Sequence, residues 1–156
     1  MDSSLYATIP FTKTARTGSK AQFSFTILPE KSLILLRLDG SFSLEDLFAA
    51  TMAVWADPNY SESFRGILDL TRTSLHISVS DLHALTRFLR EDKKTSLGRW
   101  ASVVTSPVAT AFVFLYKKAL APRQNMEAFS TVEAACDFLK TDRIPILEWF
   151  RNAPRV

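Results

Sequence analysis

The sequence predicts an α/β domain with a mixed, mostly parallel five-stranded sheet and four main helices, in the order β-β-α-β-α-β-α-β-α. Three observations predict it. An apolar run over residues 100–105 leads through Ser106-Pro107 into an almost uncharged helical stretch, followed by a short strand at 125–129 and a helix at 130–139. Parallel neighbours need such a crossover, and a helix supplies it. Phe23, Phe25 and Ile27 alternate with Ser24 and Thr26, and the apolar run 33–38 follows after four turn-forming residues. That spacing makes an antiparallel hairpin. Finally, Ser43 with Asp46, Ser78 with Asp81 and Ser130 with Glu133 read as capping boxes at three helix starts.

Each element follows from its residues. Residues 1–20 carry Leu5, Tyr6, Ile9 and Phe11 among Thr, Ser and Lys, and read as an N-terminal arm. Asp39-Gly40 ends the second strand. The first helix aligns Leu44, Leu47, Phe48, Met52 and Trp55 on one face and stops at Asp57-Pro58. Residues 64–70 are the third strand, and Thr71 to Ser74 a polar turn. Val79, Leu82, Leu85, Phe88 and Leu89 form the inward face of the second helix. Pro107 opens the third, where proline is best tolerated. In the last helix Phe129 and Ala134 are placed as a hydrophobic staple, with Val132, Ala135, Cys136 and Leu139 facing the core. The domain proper spans 21–141, and a tail at 142–156 carries enough aromatic surface to pack on the domain or on a second copy.

Composition sets limits on function. The chain has 156 residues, 47% of them hydrophobic and 22% charged, with 4 glycines and one cysteine. A single Cys136 forms no internal disulfide, and the N-terminus lacks the pattern of a signal peptide, so a cytoplasmic location is expected. Residues 100–116 are uncharged, but Pro107 and several Ser/Thr interrupt them, so no transmembrane segment is expected. Residues 41–70 hold five acidic residues against Arg65 alone, whereas 87–123 hold eight basic against two acidic. The basic residues do not interleave with aromatics as in a nucleic-acid module, so no nucleic acid partner is expected.

Several segments resemble one family. The run 37–46 (RLDGSFSLED), the run 66–70 (GILDL), the strand 100–104 and the closing run 128–139 resemble the SpoIIAA-like, or STAS-like, domains, relatives of bacterial anti-sigma-factor antagonists. The resemblance covers about residues 22–140. It implies a non-enzymatic, cytoplasmic regulatory or protein-interaction role. In the antagonists a serine within Asp-Ser-Ser-Gly, at the start of the helix after the third strand, is phosphorylated; the matching stretch here has Ser78 and Ser80 but neither that Asp nor the Gly. The family's uncharacterised branch is grouped with lipid-binding domains, which implies the alternative of a carrier or sensor of a lipid or other small apolar ligand.

Two candidate sites follow. In a parallel sheet the loops after successive strands meet at one edge, where helix N-termini favour anions or a docking partner. That interaction edge would gather Asp39 and Ser41, then Asp69, Thr71, Arg72, Thr73 and Ser74, then Ser78, Ser80 and Ser106. The same serines also serve as plain helix caps. The second candidate is the third helix, whose Phe112, Phe114, Leu115 and Tyr116 cannot all face one sheet. With Trp149 and Phe150 of the tail they would form an apolar surface for a homodimer or an apolar ligand. No catalytic residue, cofactor or metal site is expected: Asp39 and Asp69 read as turn residues, and His76 and His83 have no ligand-spaced neighbours.

Overall fold

The computed structural model describes residues 12–17 and 20–152. Six strands form one sheet: β1 (Lys13–Arg16), β2 (Ala21–Leu28), β3 (Leu33–Phe42), β4 (Arg65–Leu75), β5 (Arg99–Val103) and β6 (Asn125–Phe129). They lie side by side in chain order, antiparallel over β1-β2-β3 and parallel over β3-β4-β5-β6. Five helices accompany them: α1 (Leu44–Trp55), α2 (Val79–Glu91), α3 (Pro107–Leu120), α4 (Val132–Leu139) and α5 (Arg143–Asn152).

The sheet always advances in one direction, and β-crossovers are right-handed. The helices α1, α2 and α3 therefore all land on the same face. There they bury Leu47, Leu85, Val113 and Leu120 against Phe25, Ile34, Leu38 and Trp100. The opposite face buries Leu33, Leu35, Ile67 and Val103 under Cys136 and Leu139 of α4 and Ile146, Trp149 and Phe150 of α5.

The mixed α/β sheet and the β2–β3 hairpin match the sequence expectation, while several details correct it. There are six strands and five helices rather than five and four. The sixth strand, β1, comes from the expected arm and pairs with β2, and the fifth helix comes from the expected tail. Residues 1–11, where the arm's apolar anchors lie, are outside the described residues.

Asp39-Gly40 does not end its strand. Gly40, at φ 103°, lets β3 run on to Phe42. A Cβ there would stand 2.0 Å from the Lys20 carbonyl oxygen, so only glycine fits. Thr71 to Ser74 are likewise not a turn but part of the second half of β4, where Arg72, Thr73 and Ser74 pair with Asp39, Gly40 and Ser41 of β3 beyond a register shift. The polar side chains there hid the strand.

Two of the three capping boxes form as expected. The hydroxyl of Ser43 accepts the Asp46 amide at 3.3 Å while the Asp46 carboxylate accepts the Ser43 amide at 2.9 Å, and Ser78 and Asp81 repeat the arrangement. The third does not: Thr131, one residue on, caps α4 by accepting the Ala134 amide at 3.1 Å.

The α1 box gives an acid-stability prediction. Burial acts to raise the Asp46 carboxyl, but the Ser43 amide and the Thr17 and Ser43 hydroxyls outweigh it and hold it below the usual range. Asp57 is held low in the same sense: burial opposes, and Lys13 at 2.6 Å and the Asn59 amide prevail. A depressed folded value contributes stability above the unfolded value of about 3.9, lost as pH falls through the folded one. Urea midpoints should therefore drop on going below about pH 4. Asp46→Asn should flatten that drop; an unchanged pH profile would count against the capping network as its source.

Candidate functional site

Between the sheet and α1, α2 and α3 lies a cavity of about 120 Å³. Its floor is Leu36 of β3, Leu68 of β4 and Trp100 and Ser102 of β5; its roof is Ala50 and Val54 of α1, Leu85 of α2, and Phe112 and Tyr116 of α3. Leu36 and Leu68 pair in register at the middle of the sheet, where core side chains are normally sealed, yet both are only half-buried. The space arises because small residues stand where large ones would fill it. Ala50 occupies the inward face of α1 and Ser102 sits in the middle of β5, while the room above Gly66 is taken by the Trp100 ring.

Gly66 is obligatory at that spot, since a Cβ would come within 2.4 Å of the Trp100 ring. The ring is held in turn by its Nε1, which donates to the Ser96 hydroxyl at 2.7 Å.

The cavity is chemically graded. Its walls are mostly aliphatic and aromatic, but Tyr60, Thr95, Ser96 and Gln124 gather at one end. These come from the segments before β4, β5 and β6. The Tyr60 hydroxyl donates to the Lys94 carbonyl, and Thr95 donates to the Leu89 carbonyl at 2.5 Å. Arg123 closes this end by donating to the carbonyls of Arg90 and Asp92, each at 2.6 Å. One of the basic residues of the 87–123 segment is thereby a structural clamp.

Burial pushes both the Tyr60 and Tyr116 phenols well above the usual tyrosine value; Glu62 adds to the first and Tyr60 to the second. A raised folded value keeps the proton on while the unfolded chain ionises, so stability present below about pH 10 is lost above it. The urea midpoint should fall as pH rises above about 10, and Tyr116→Phe should remove part of that fall. A midpoint indifferent to pH there would mean the phenols are solvated.

The expected interaction edge is not a loop cluster. Asp39, Ser41, Thr71, Arg72, Thr73 and Ser74 all lie on the paired extensions of β3 and β4. Asp69 and Arg37 form a buried pair, each 3% exposed, with the Arg37 Nε donating to Asp69 Oδ2 at 3.1 Å. The Arg37 guanidinium also donates to the Phe150 carbonyl and stands 5.5 Å from the Phe150 ring centroid. Burial pulls it below the usual arginine range against the opposing pull of Asp69.

Asp39 faces Arg72 at 3.9 Å instead, so the two aspartates have different cationic partners. Ser78 and Ser106 are N-caps of α2 and α3, and Ser80 is an exposed residue of α2's first turn.

The expected apolar surface divides. Phe112 and Tyr116 line the cavity, while Phe114 and Leu115 point outward, Phe114 being 60% exposed. Trp149 and Phe150 do not join them: both are buried beneath α5 on the other face of the sheet. His76 and His83 are exposed and do not line the cavity. Among the described residues, no cluster of three His, Cys, Asp or Glu has the geometry to hold a metal ion, and no helix is long and apolar enough to cross a membrane. Cys136 is wholly buried, and desolvation raises its thiol to about 11.

No family model matches the chain, and no curated protein matches it. Among solved structures it is similar to an uncharacterized protein of the DUF3478 family with a SpoIIAA-like fold, from Shewanella loihica PV-4. The identity is 13%, with 83% of this chain and 92% of that chain covered, and the TM-score is 0.46.

Sequence reasoning placed Phe112 and Tyr116 but missed Leu36, Leu68, Tyr60, Ser96, Gln124 and Ala50. The signal available was Ser102, a small polar residue inside an otherwise apolar strand, which marks a position where the sheet leaves room above it.

Proposed function

We propose that the chain is a non-enzymatic binding domain that carries or senses a small apolar molecule held beneath α3. The cavity carries this reading: a void of about 120 Å³ bounded by Leu36, Leu68, Phe112 and Val113 is an apolar container. Its size is comparable to an engineered cavity of about 150 Å³ that stays dry and admits benzene. A container of this size takes a single ring or a short branched chain. Binding rather than catalysis also fits the carboxylates, since Asp39 and Asp69 face arginines and lie outside the cavity lining.

A regulatory role joins this reading rather than competing with it. The same helix that roofs the cavity with Phe112 and Tyr116 presents Val108, Phe114 and Leu115 outward. Occupancy that shifts α3 would reach any partner, or second copy, seated on that outer face. The test is titration with benzene, followed by the fluorescence of Trp100 and the thermal midpoint. Saturable binding that raises the midpoint supports the reading. A midpoint and spectrum unchanged up to benzene's solubility would remove it and leave a protein-interaction domain.

A further inference from the structure

Gln124 is 6% exposed and stands in the cavity wall at the start of the last strand's approach, its amide nitrogen bonded to the Leu120 carbonyl at 3.2 Å. Its side-chain Nε2 donates to the Ser96 carbonyl at a long 3.3 Å. Its Oε1 is buried and has no hydrogen-bond partner among the described residues. A buried acceptor left unpaired is costly, and native structures rarely keep one without a use.

The nearby donors are committed elsewhere. The Trp100 indole and the Tyr60 and Thr95 hydroxyls give their protons to Ser96, Lys94 and Leu89, and Ser96 gives its own to the Phe64 carbonyl at 3.0 Å. The terminal torsion of a glutamine is soft, so the amide can turn its Oε1 toward the cavity at the cost of the long bond to the Ser96 carbonyl.

Resting on the ligand-binding reading above, we infer that the ligand is amphipathic, with a hydroxyl group that donates to Gln124 Oε1 while its apolar body lies against Leu36, Leu68 and Phe112. Tyr116 sharpens the class. It lines the same cavity, burial keeps its phenol protonated, and its hydroxyl makes no hydrogen bond among the described residues, so it can donate to the ligand's oxygen. An oxygen that both donates and accepts is an alcohol or a phenol, not an ether or a hydrocarbon.

Phenol and benzene, alike but for one hydroxyl, are the probes. Calorimetric titration of the wild-type protein and of Gln124→Met, which keeps the side chain's length and removes the acceptor, measures their affinity ratio. The ratio should fall about tenfold in favour of benzene in the variant. A ratio that does not move would overturn the inference, because the acceptor would then serve the protein alone or a bound water. Should the variant lose benzene binding as well, the wild-type protein still decides. Phenol should shift the Gln124 side-chain amide resonance beyond the ring-current shift that benzene causes, and equal shifts from the two probes overturn the inference. Failure of both probes to bind the wild-type protein instead removes the ligand-binding reading.

Discussion

Asp69→Ala should destabilise the domain by about 3–5 kcal/mol, the cost of leaving a buried charge without its counterion. The reason is geometric. Arg37 is 3% exposed, and its Nη1 already lacks a partner among the described residues. Removing Asp69 leaves the guanidinium only the Phe150 carbonyl and ring on a face otherwise built from leucine, isoleucine and valine. The Thr71 amide, which donates to Asp69 Oδ1 at 2.9 Å, is orphaned as well.

Total stabilities of single domains are about 5–15 kcal/mol, so this one change consumes much of the margin. The double change Arg37→Met with Asp69→Leu removes both charges and should cost far less, since apolar replacements of buried pairs are often near neutral. Urea unfolding of the three proteins decides it. If the single variant loses less than about 1 kcal/mol, water reaches the pair and the buried description is wrong.

The second large effect concerns the cavity. Ala50→Leu places three more carbons in a space of about 120 Å³, from a helix position where leucine is as acceptable as alanine. Benzene affinity should fall more than a hundredfold. Stability should meanwhile hold or rise by about 1 kcal/mol, as filling a void returns lost contacts. That opposite movement separates the cavity from a general packing defect, in which both quantities fall together. A variant that binds benzene as well as the parent would place the binding elsewhere.

The opposite fates of these residues show what the sequence makes legible. The βαβ alternation, the hairpin at Phe23 to Leu38, and the caps at Ser43 and Ser78 are local patterns, and all of them appear in the structure. The continuation of β3 and β4 through Asp39 to Phe42 and Thr71 to Leu75 was hidden, because glycine, serine and threonine there read as turn chemistry. Only pairing with each other holds those residues in a sheet.

The cavity was half legible. The excess of apolar residues on α3 announced that its helix serves more than one surface. Which side chains meet beneath it depends on α1 and on three connecting segments far apart in the chain. No window of sequence contains Ala50, Leu68 and Gln124 together. The buried pair was masked for the same reason: Arg37 and Asp69 stand 32 positions apart, and Phe150 covers them from 113 positions away.

The strand order has a consequence for how the chain is made. Because each strand lies beside its immediate predecessor, every new strand emerging from synthesis finds its template already in place and adds to a growing edge. Each parallel pairing is separated by a single helical crossover, which favours sequential assembly. The exception is the last helix. Until α5 arrives, Arg37 and Asp69 face water on a sheet face covered by α4 alone, and the nascent domain is a four-helix intermediate. The arrival of α5 is thus the event that takes the ion pair out of solvent, and a protein truncated before residue 143 should persist in that open state.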